Sequence, residues 1–430
     1  NPNESILYNI SGVCLKANGK LEMAAQSFKS AINLKPNLVD AHYNLALTLQ
    51  ELNQLDDAIK SYKETLSIDS TYAKAYINLG IVYQELGQME EAIKSYEKLI
   101  SIQPDNAVAH HNLGNLLTDL CELDNAIKSY KNALIIQPDY FEVLNNLGSI
   151  HHELGQNDEA INCYELALTI NPDFADAHNN IGIIHQSIDQ FDEAANCYKK
   201  AIAINPDHSE ALSNLGNILK ECGQFNEAIE FYEKALIVNQ KFDDAHYNLG
   251  ISLYELGKTD KAIDSFKEAL SLNPNYSDAH NSLGNIFQDL GLLDEAFNSY
   301  VHALAIEPDN AQFHHNLSVI KNYKDGDMQL RYMESLLSKK NLIEQDRISL
   351  CFALAKAYQN LDKEVELFKV LNEGNRLRKK ELNYSIETDL KKHLTTKKLF
   401  KSVNKKISQY EPLTIRPIFI VGMPRSGTTL

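Results

Sequence analysis

The residues best suited to chemistry stand together at residues 417–430, PIFIVGMPRSGTTL. Gly422 and Gly427 bracket four residues, the G-x-x-x-x-G spacing that lets backbone N–H groups close on a phosphate. The apolar run 417–421 reads as a short buried parallel strand leading into that loop. A helix expected to start near Thr428 would point its positive end at the anion, and Ser426, Thr428 and Thr429 add hydroxyl donors. Thr428 stands where a nucleoside triphosphate loop carries Lys, so this is not an ordinary ATP or GTP site. Arg425 supplies the charge that the Lys would have given. No residue here is placed to take a proton from an acceptor, so the loop alone binds and polarises without completing a reaction.

What precedes this loop is of another kind. Residues 1–310 hold 19 Lys and no Arg against 45 Asp and Glu, whereas residues 311–430 hold 22 Lys and Arg against 13 Asp and Glu. An acidic first part argues against nucleic acid as its partner, because phosphate affinity needs clustered cations. Pro36, Pro104, Pro138, Pro172, Pro206, Pro274 and Pro308 lie on one lattice of spacing 34, and nine repeats tile residues 5–310 from Ser5. Position 20 is Ala in all nine, from Ala24 to Ala296; position 24 is always Tyr or Phe; position 8 is Gly except at Ala46.

Each repeat reads as two helices. In the third, Tyr76, Leu79, Gly80 and Tyr83 make one apolar face at helical spacing, and Gly87 ends the helix in the left-handed conformation. The second helix offers Ala92 for close approach and Tyr96 to fill the gap. A lone pair cannot bury its apolar face, so pairs must stack. Positions 2, 6, 9 and 13 of the first helix form a stripe facing away from its partner helix. Position 6 is Asn seven times in succession: Asn44, Asn78, Asn112, Asn146, Asn180, Asn214 and Asn248. Asn is a poor helix former, by roughly half a kcal/mol against Ala, so its recurrence needs a reason. One reason is a peptide groove, since an amide offers donor and acceptor to an extended backbone. The other is hydrogen bonding between neighbouring repeats. Position 13 is mostly acidic, so a groove there favours basic or neutral segments. His42, His110, His178, His246 and His280, at position 4, read as core residues, and no metal site is expected.

Residues 311–375 read as degenerate repeats that cap the array, with a tenth repeat dissolving at KDGDMQ, and residues 376–411 as a basic helical linker. Between Arg376 and Lys406 eleven Lys and Arg meet three Asp and Glu; with only Tyr384 and Phe400 as stacking candidates, a solvated connector suits it better than a nucleic-acid patch. The six cysteines are scattered without a C-x-x-C pair, as in a reduced cytoplasmic protein. No apolar run approaches the roughly 20 residues of a membrane helix.

At these positions the chain resembles the tetratricopeptide repeat family, although position 4 carries Tyr, His or Leu where that family often has Trp. The resemblance implies an all-α right-handed superhelix, an α-solenoid, binding a protein or peptide in its concave groove. The wording of AHYNLALTLQEL and DAHYNLGISLYELG is similar to arrays that precede O-linked N-acetylglucosamine transferase domains. The string IFIVGMPRSGTTL resembles the 5′-phosphosulfate loop of sulfotransferases, in particular the tyrosylprotein branch and bacterial proteins with such arrays in front. That resemblance implies that Gly422, Arg425, Ser426, Gly427, Thr428 and Thr429 grip the 5′-phosphosulfate of 3′-phosphoadenosine 5′-phosphosulfate, with Arg425 also steadying charge in the reaction. It implies a parent enzyme transferring a sulfuryl group to an acceptor hydroxyl, possible acceptors including protein tyrosine. The expectation is then that residues 412–430 open a truncated α/β domain, are poorly fixed, and leave this chain inactive by itself. The alternative expectation is a scaffold without enzymatic function.

Overall fold

In the computed structural model, the described residues are 2–382, 387 and 390–398. All of their regular structure is helical, with no strand among them. The expected strand and loop at 417–430 lie outside the described residues. The chain divides between Leu272 and Asn273 into two units.

The first unit is eight consecutive helix pairs in the register of the 34-residue period, from Pro2–Ala17 with Leu21–Leu34 to Asp243–Glu255 with Thr259–Leu272. The third pair, Ala73–Glu85 and Met89–Ile102, shows why each pair closes. A Cβ on Gly80 would meet the Tyr96 ring at 2.5 Å, so in this pair the ring occupies the space that a side chain at position 80 would take. Ala92 and the Tyr96 ring are fully buried. The hydroxyl of Tyr96 donates to Gln84 Oε1 at 2.7 Å, which removes the penalty of burying a polar tip. Tyr62, Tyr130, Tyr198 and Tyr232 likewise donate to Gln50, Asn115, Gln186 and Asn217 of their own first helices. Position 24 is Phe only at Phe28 and Phe266, where positions 9 and 12 offer no side-chain amide.

The turn between the two helices is equally specific. Gly87 has φ 70°, with its N–H bonded to Gln84 C=O at 2.9 Å and the N–H of Gln88 bonded to Tyr83 C=O at 2.8 Å. This pair of bonds satisfies carbonyls that the helix end leaves open. Asn53 and Asp189 take the same conformation, and so does Cys121, at φ 58°, which sequence reasoning did not identify.

The second unit begins with one more regular pair, Ser277–Asp289 and Leu293–Ile306. The tenth repeat does not simply dissolve. Ala311–Ile320 ends early, and after a loop Met328–Leu337 forms a helix in register, capped by Asp327, whose carboxylate accepts from Gln329 and Leu330 N–H. These two helices do not close on each other; Ala311–Ile320 packs instead on the longer helix Glu344–Asn360. That helix pairs with Glu364–Glu381, which runs without a break through the boundary expected at residue 375. None of the helices is long and apolar enough to cross a membrane among the described residues.

Candidate functional site

The asparagine stripe lies along the first helices of the first unit, with each amide half-buried. Five of the seven donate back to the preceding repeat. Asn44 Nδ2 donates to Asn9 Oδ1 at 3.1 Å, Asn78 to the Tyr43 hydroxyl at 2.9 Å, and Asn180 to Asn145 Oδ1 at 3.0 Å. Asn214 donates to Asn179 Oδ1 at 3.1 Å, and Asn146 to His111 Nε2 at 3.2 Å and Asn115 Oδ1 at 2.9 Å. The acceptor is position 5 of the repeat before, a column of Asn, Tyr and His that sequence reasoning missed. Its signal is a spacing of 35 residues rather than 34. In the second unit the rule returns, with Asn316 donating to Asn281 Oδ1 at 2.8 Å.

Two members depart from the rule. Ile77 stands opposite Asn112 in place of an acceptor, and the Asn112 amide has no hydrogen-bond partner among the described residues. Asn248 turns to its own helix, its Nδ2 reaching Asp244 C=O at 3.0 Å, while its Oδ1 accepts from Lys220 Nζ at 2.8 Å. Bridging between repeats is therefore real for most of the column. It does not use the amides up. A side-chain amide has two N–H donors and a carbonyl with two lone pairs. The carbonyl oxygens of Asn44, Asn78, Asn180 and Asn214 accept no hydrogen bond among the described residues.

Carboxylates edge this column at position 13. Glu51, Glu85, Asp119, Glu153, Glu221 and Glu255 are all exposed, with Glu51 paired to Lys16 at 3.0 Å. The position-4 histidines are clasps more than core. Only His110 among the expected five is buried; His42, His110 and His246 each hold the carbonyl of the residue six earlier, at 2.8, 3.2 and 3.2 Å. A carbonyl can only accept, so Nε2 carries the proton in each, and the contact ties the first helix to the Pro-lattice turn before it.

No group of three or more His, Cys, Asp or Glu side chains poised to hold a metal occurs among the described residues. All six cysteines are free; burial pushes the thiols of Cys163 and Cys197 up, and that of Cys351 to about 11. Gly422, Arg425, Ser426, Gly427, Thr428 and Thr429 lie outside the described residues.

Comparison with known proteins agrees with this geometry. The profile described as TPR repeat matches residues 15–53, 49–87, 114–155, 148–189 and 216–257. Profiles described as tetratricopeptide repeat match 73–106, 175–208 and 243–276, then 197–230 and 277–310. The chain is 34% identical over 116 residues to an uncharacterized protein of Aquifex aeolicus (strain VF5), a stretch that takes in 26% of this chain and 15% of that protein. Among solved structures, the APC/C hetero-tetramer Cut9-Hcn1 is similar with a TM-score of 0.52 and 19% identity, covering 70% of this chain and 59% of that one. YrrB, described as a TPR protein with an unusual peptide-binding site, is 28% identical with a TM-score of 0.36, covering 44% of this chain and 97% of that one. With its paired helices in the 34-residue register and these matches along most of its first 310 residues, the chain belongs to the tetratricopeptide repeat family.

Proposed function

We propose that the chain is a protein-interaction scaffold whose first-helix face holds an extended, neutral to basic peptide. One observation carries this: Asn44, Asn78, Asn180 and Asn214 each spend one N–H on the neighbouring repeat and leave the carbonyl oxygen unbonded among the described residues. An extended peptide presents N–H groups that such oxygens accept, without reading side chains. The bond to the neighbouring repeat holds five of the seven amides in place beforehand, which lowers the ordering cost of binding. The carboxylates of position 13 set the charge preference. The test is a labelled peptide of Gly, Ser and Lys against one in which Glu replaces Lys. The first should bind and weaken as salt rises through the range where screening shortens to about 8 Å. Equal binding of both peptides would contradict the reading. The six free thiols support a reducing compartment such as the cytoplasm.

A second reading is favoured by the string GMPRSGTT alone: the natural protein that contains this chain is a sulfotransferase using 3′-phosphoadenosine 5′-phosphosulfate. Arg425 with the amides and hydroxyls of Ser426 to Thr429 would hold the phosphosulfate and its developing charge. The array would then recruit the acceptor. Radiolabelled sulfuryl transfer by the longest natural form should drop by orders of magnitude on Arg425→Ala, with helix content unchanged. Full activity without Arg425 would remove the loop from the chemistry.

A further inference from the structure

On the second helices, position 25 is charged in eight repeats, from Lys29 to Lys267, and in the ninth it is Val301. Position 21 is Ala or Ile in those eight and Phe297 in the ninth. Position 22 is polar in the first nine repeats, as at Lys128, and Tyr332 in the tenth. Three polar or modest side chains thus become bulky and apolar at one junction. Phe297, Val301, Leu317, Met328 and Tyr332 line a single open furrow of about 660 Å³ within the second unit. The corresponding hollow between the third and fourth repeats, about 530 Å³, has Glu97 and Lys128 at the equivalent places. Phe297, Val301 and Tyr332 are 38%, 41% and 41% exposed, and Met328 is 85% exposed. Apolar surface gathered like this marks an interaction site more often than scattered exposed residues do.

The chemistry of the occupant follows from what lies alongside. Pro308 and Tyr332 are shared with a second hollow lined by Glu307, Asp309 and Asp346. The Tyr332 hydroxyl donates to Asp309 Oδ1 at 2.6 Å, which steadies the ring over the furrow, and Lys339 meets Asp309 at 2.7 Å. Asn310 donates to Glu307 Oε2 at 3.0 Å, while Asp346 has no partner among the described residues. Three carboxylates against one ammonium leave this end negative. An anionic lipid surface is repelled by it, and so is the acidic array of a second copy.

We infer that this furrow docks a segment of another protein in which one or two bulky apolar side chains, seated over Phe297 and Val301, are flanked by Lys or Arg facing Asp346 and Glu307. The site is separate from the asparagine column and does not depend on it. Tyr332 and Met328 supply the kind of aromatic and adaptable contacts that dominate such anchors.

Fluorescence anisotropy on the full chain tests this. The probe is a labelled twelve-residue peptide with Leu and Phe one helical turn apart among Lys and Arg; one control replaces the cations by Glu, the other replaces Leu and Phe by Ser. The first peptide should bind at least about tenfold more tightly than either control. Val301→Lys restores a charge that the other repeats carry at this position and should cost about tenfold with helix content unchanged. Asp346→Asn should cost about threefold to tenfold and flatten the salt dependence. Equal binding of all three peptides, or an unaffected Val301→Lys, overturns the inference. So does light scattering that finds a dimer turned to monomer by Val301→Lys, because the furrow then belongs to a second copy.

Discussion

The third helix pair and the tenth share a register and fold differently. In the third, Gly80, Ala92 and Tyr96 form a lock of hole, close approach and plug. In the tenth, the same three positions are Ser318, Leu330 and Glu334. Without a glycine to admit a ring, and without a ring to admit, Ala311–Ile320 turns to Glu344–Asn360. Glu334 accepts a hydrogen bond from the Tyr358 hydroxyl at 2.8 Å, well away from the role its position has elsewhere. The difference teaches that pairing in the regular repeats rests on three positions, a small residue (Gly, or Ala46 in the second repeat), an Ala and a buried ring. Where they are lost, the period persists in the helices but not in their contacts. The hollow beside the tenth repeat has Val301 and Tyr332 where its counterpart between the third and fourth repeats has Glu97 and Lys128.

The largest effect should come from emptying one lock. Tyr164→Ala removes a buried ring and should cost about 3–5 kcal/mol by urea denaturation, whereas Glu334→Ala should stay within about 1 kcal/mol. Comparable losses from the two would erase the distinction drawn between the regions. A pH titration sharpens it next. His314 holds Pro308 C=O through Nε2 at 2.8 Å and accepts from Gln329 Nε2 at its Nδ1, 3.2 Å away. Burial holds its pKa below the ordinary 6.5, against weaker upward pulls from the Pro308 bond and Asp309. The unfolded chain then takes up the proton more readily than the folded one. The stability this contributes is present above about pH 6.5 and is lost as the pH falls through the folded value. His314→Gln should flatten that loss in the second unit; an unchanged acid limb would mean that other groups govern it. The smallest effect is at a turn. Cys121 sits at φ 58° where six sister repeats use Gly, and Cys121→Gly should raise stability by up to about 1 kcal/mol in a thermal melt. A lower melting temperature would show that its side chain is held by a contact worth more than the strain.

The helix pairs were legible because hole, approach and plug recur at constant positions, and the Gly turns because φ > 0 has few tolerant residues. Cys121 escaped because it is not a residue that advertises that conformation. The column opposite the asparagines escaped for a different reason. Asn9, Tyr43, His111 and Asn179 share only an acceptor atom, so the position looks variable while its physics is constant. Both explanations of the asparagines, groove and bridge, were readable; that one amide can serve both became plain only with the distances. The histidines looked like core because their repeat position is, and the carbonyls that they reach, of Pro36, Pro104 and Gln240, lie six residues back across a turn. Helix Met328–Leu337 follows a loop whose Gly and Asp masked its register. The phosphate-loop residues lie outside those described, so their reading stands on sequence.

The central claim is that the asparagine column binds with the part of each amide that the neighbouring repeat does not use. Asn112 and Asn180 separate the two roles, because Asn112 has no partner among the described residues and Asn180 bonds Asn145. Binding of the Gly/Ser/Lys peptide and thermal stability, measured together for Asn112→Ala and Asn180→Ala, decide it. Both variants should lose about threefold to tenfold in affinity, as expected for about 0.5–1.5 kcal/mol per hydrogen bond, and only Asn180→Ala should also melt earlier. Unchanged peptide affinity in Asn112→Ala, with Asn180→Ala merely less stable, would make the column a brace between repeats and nothing more.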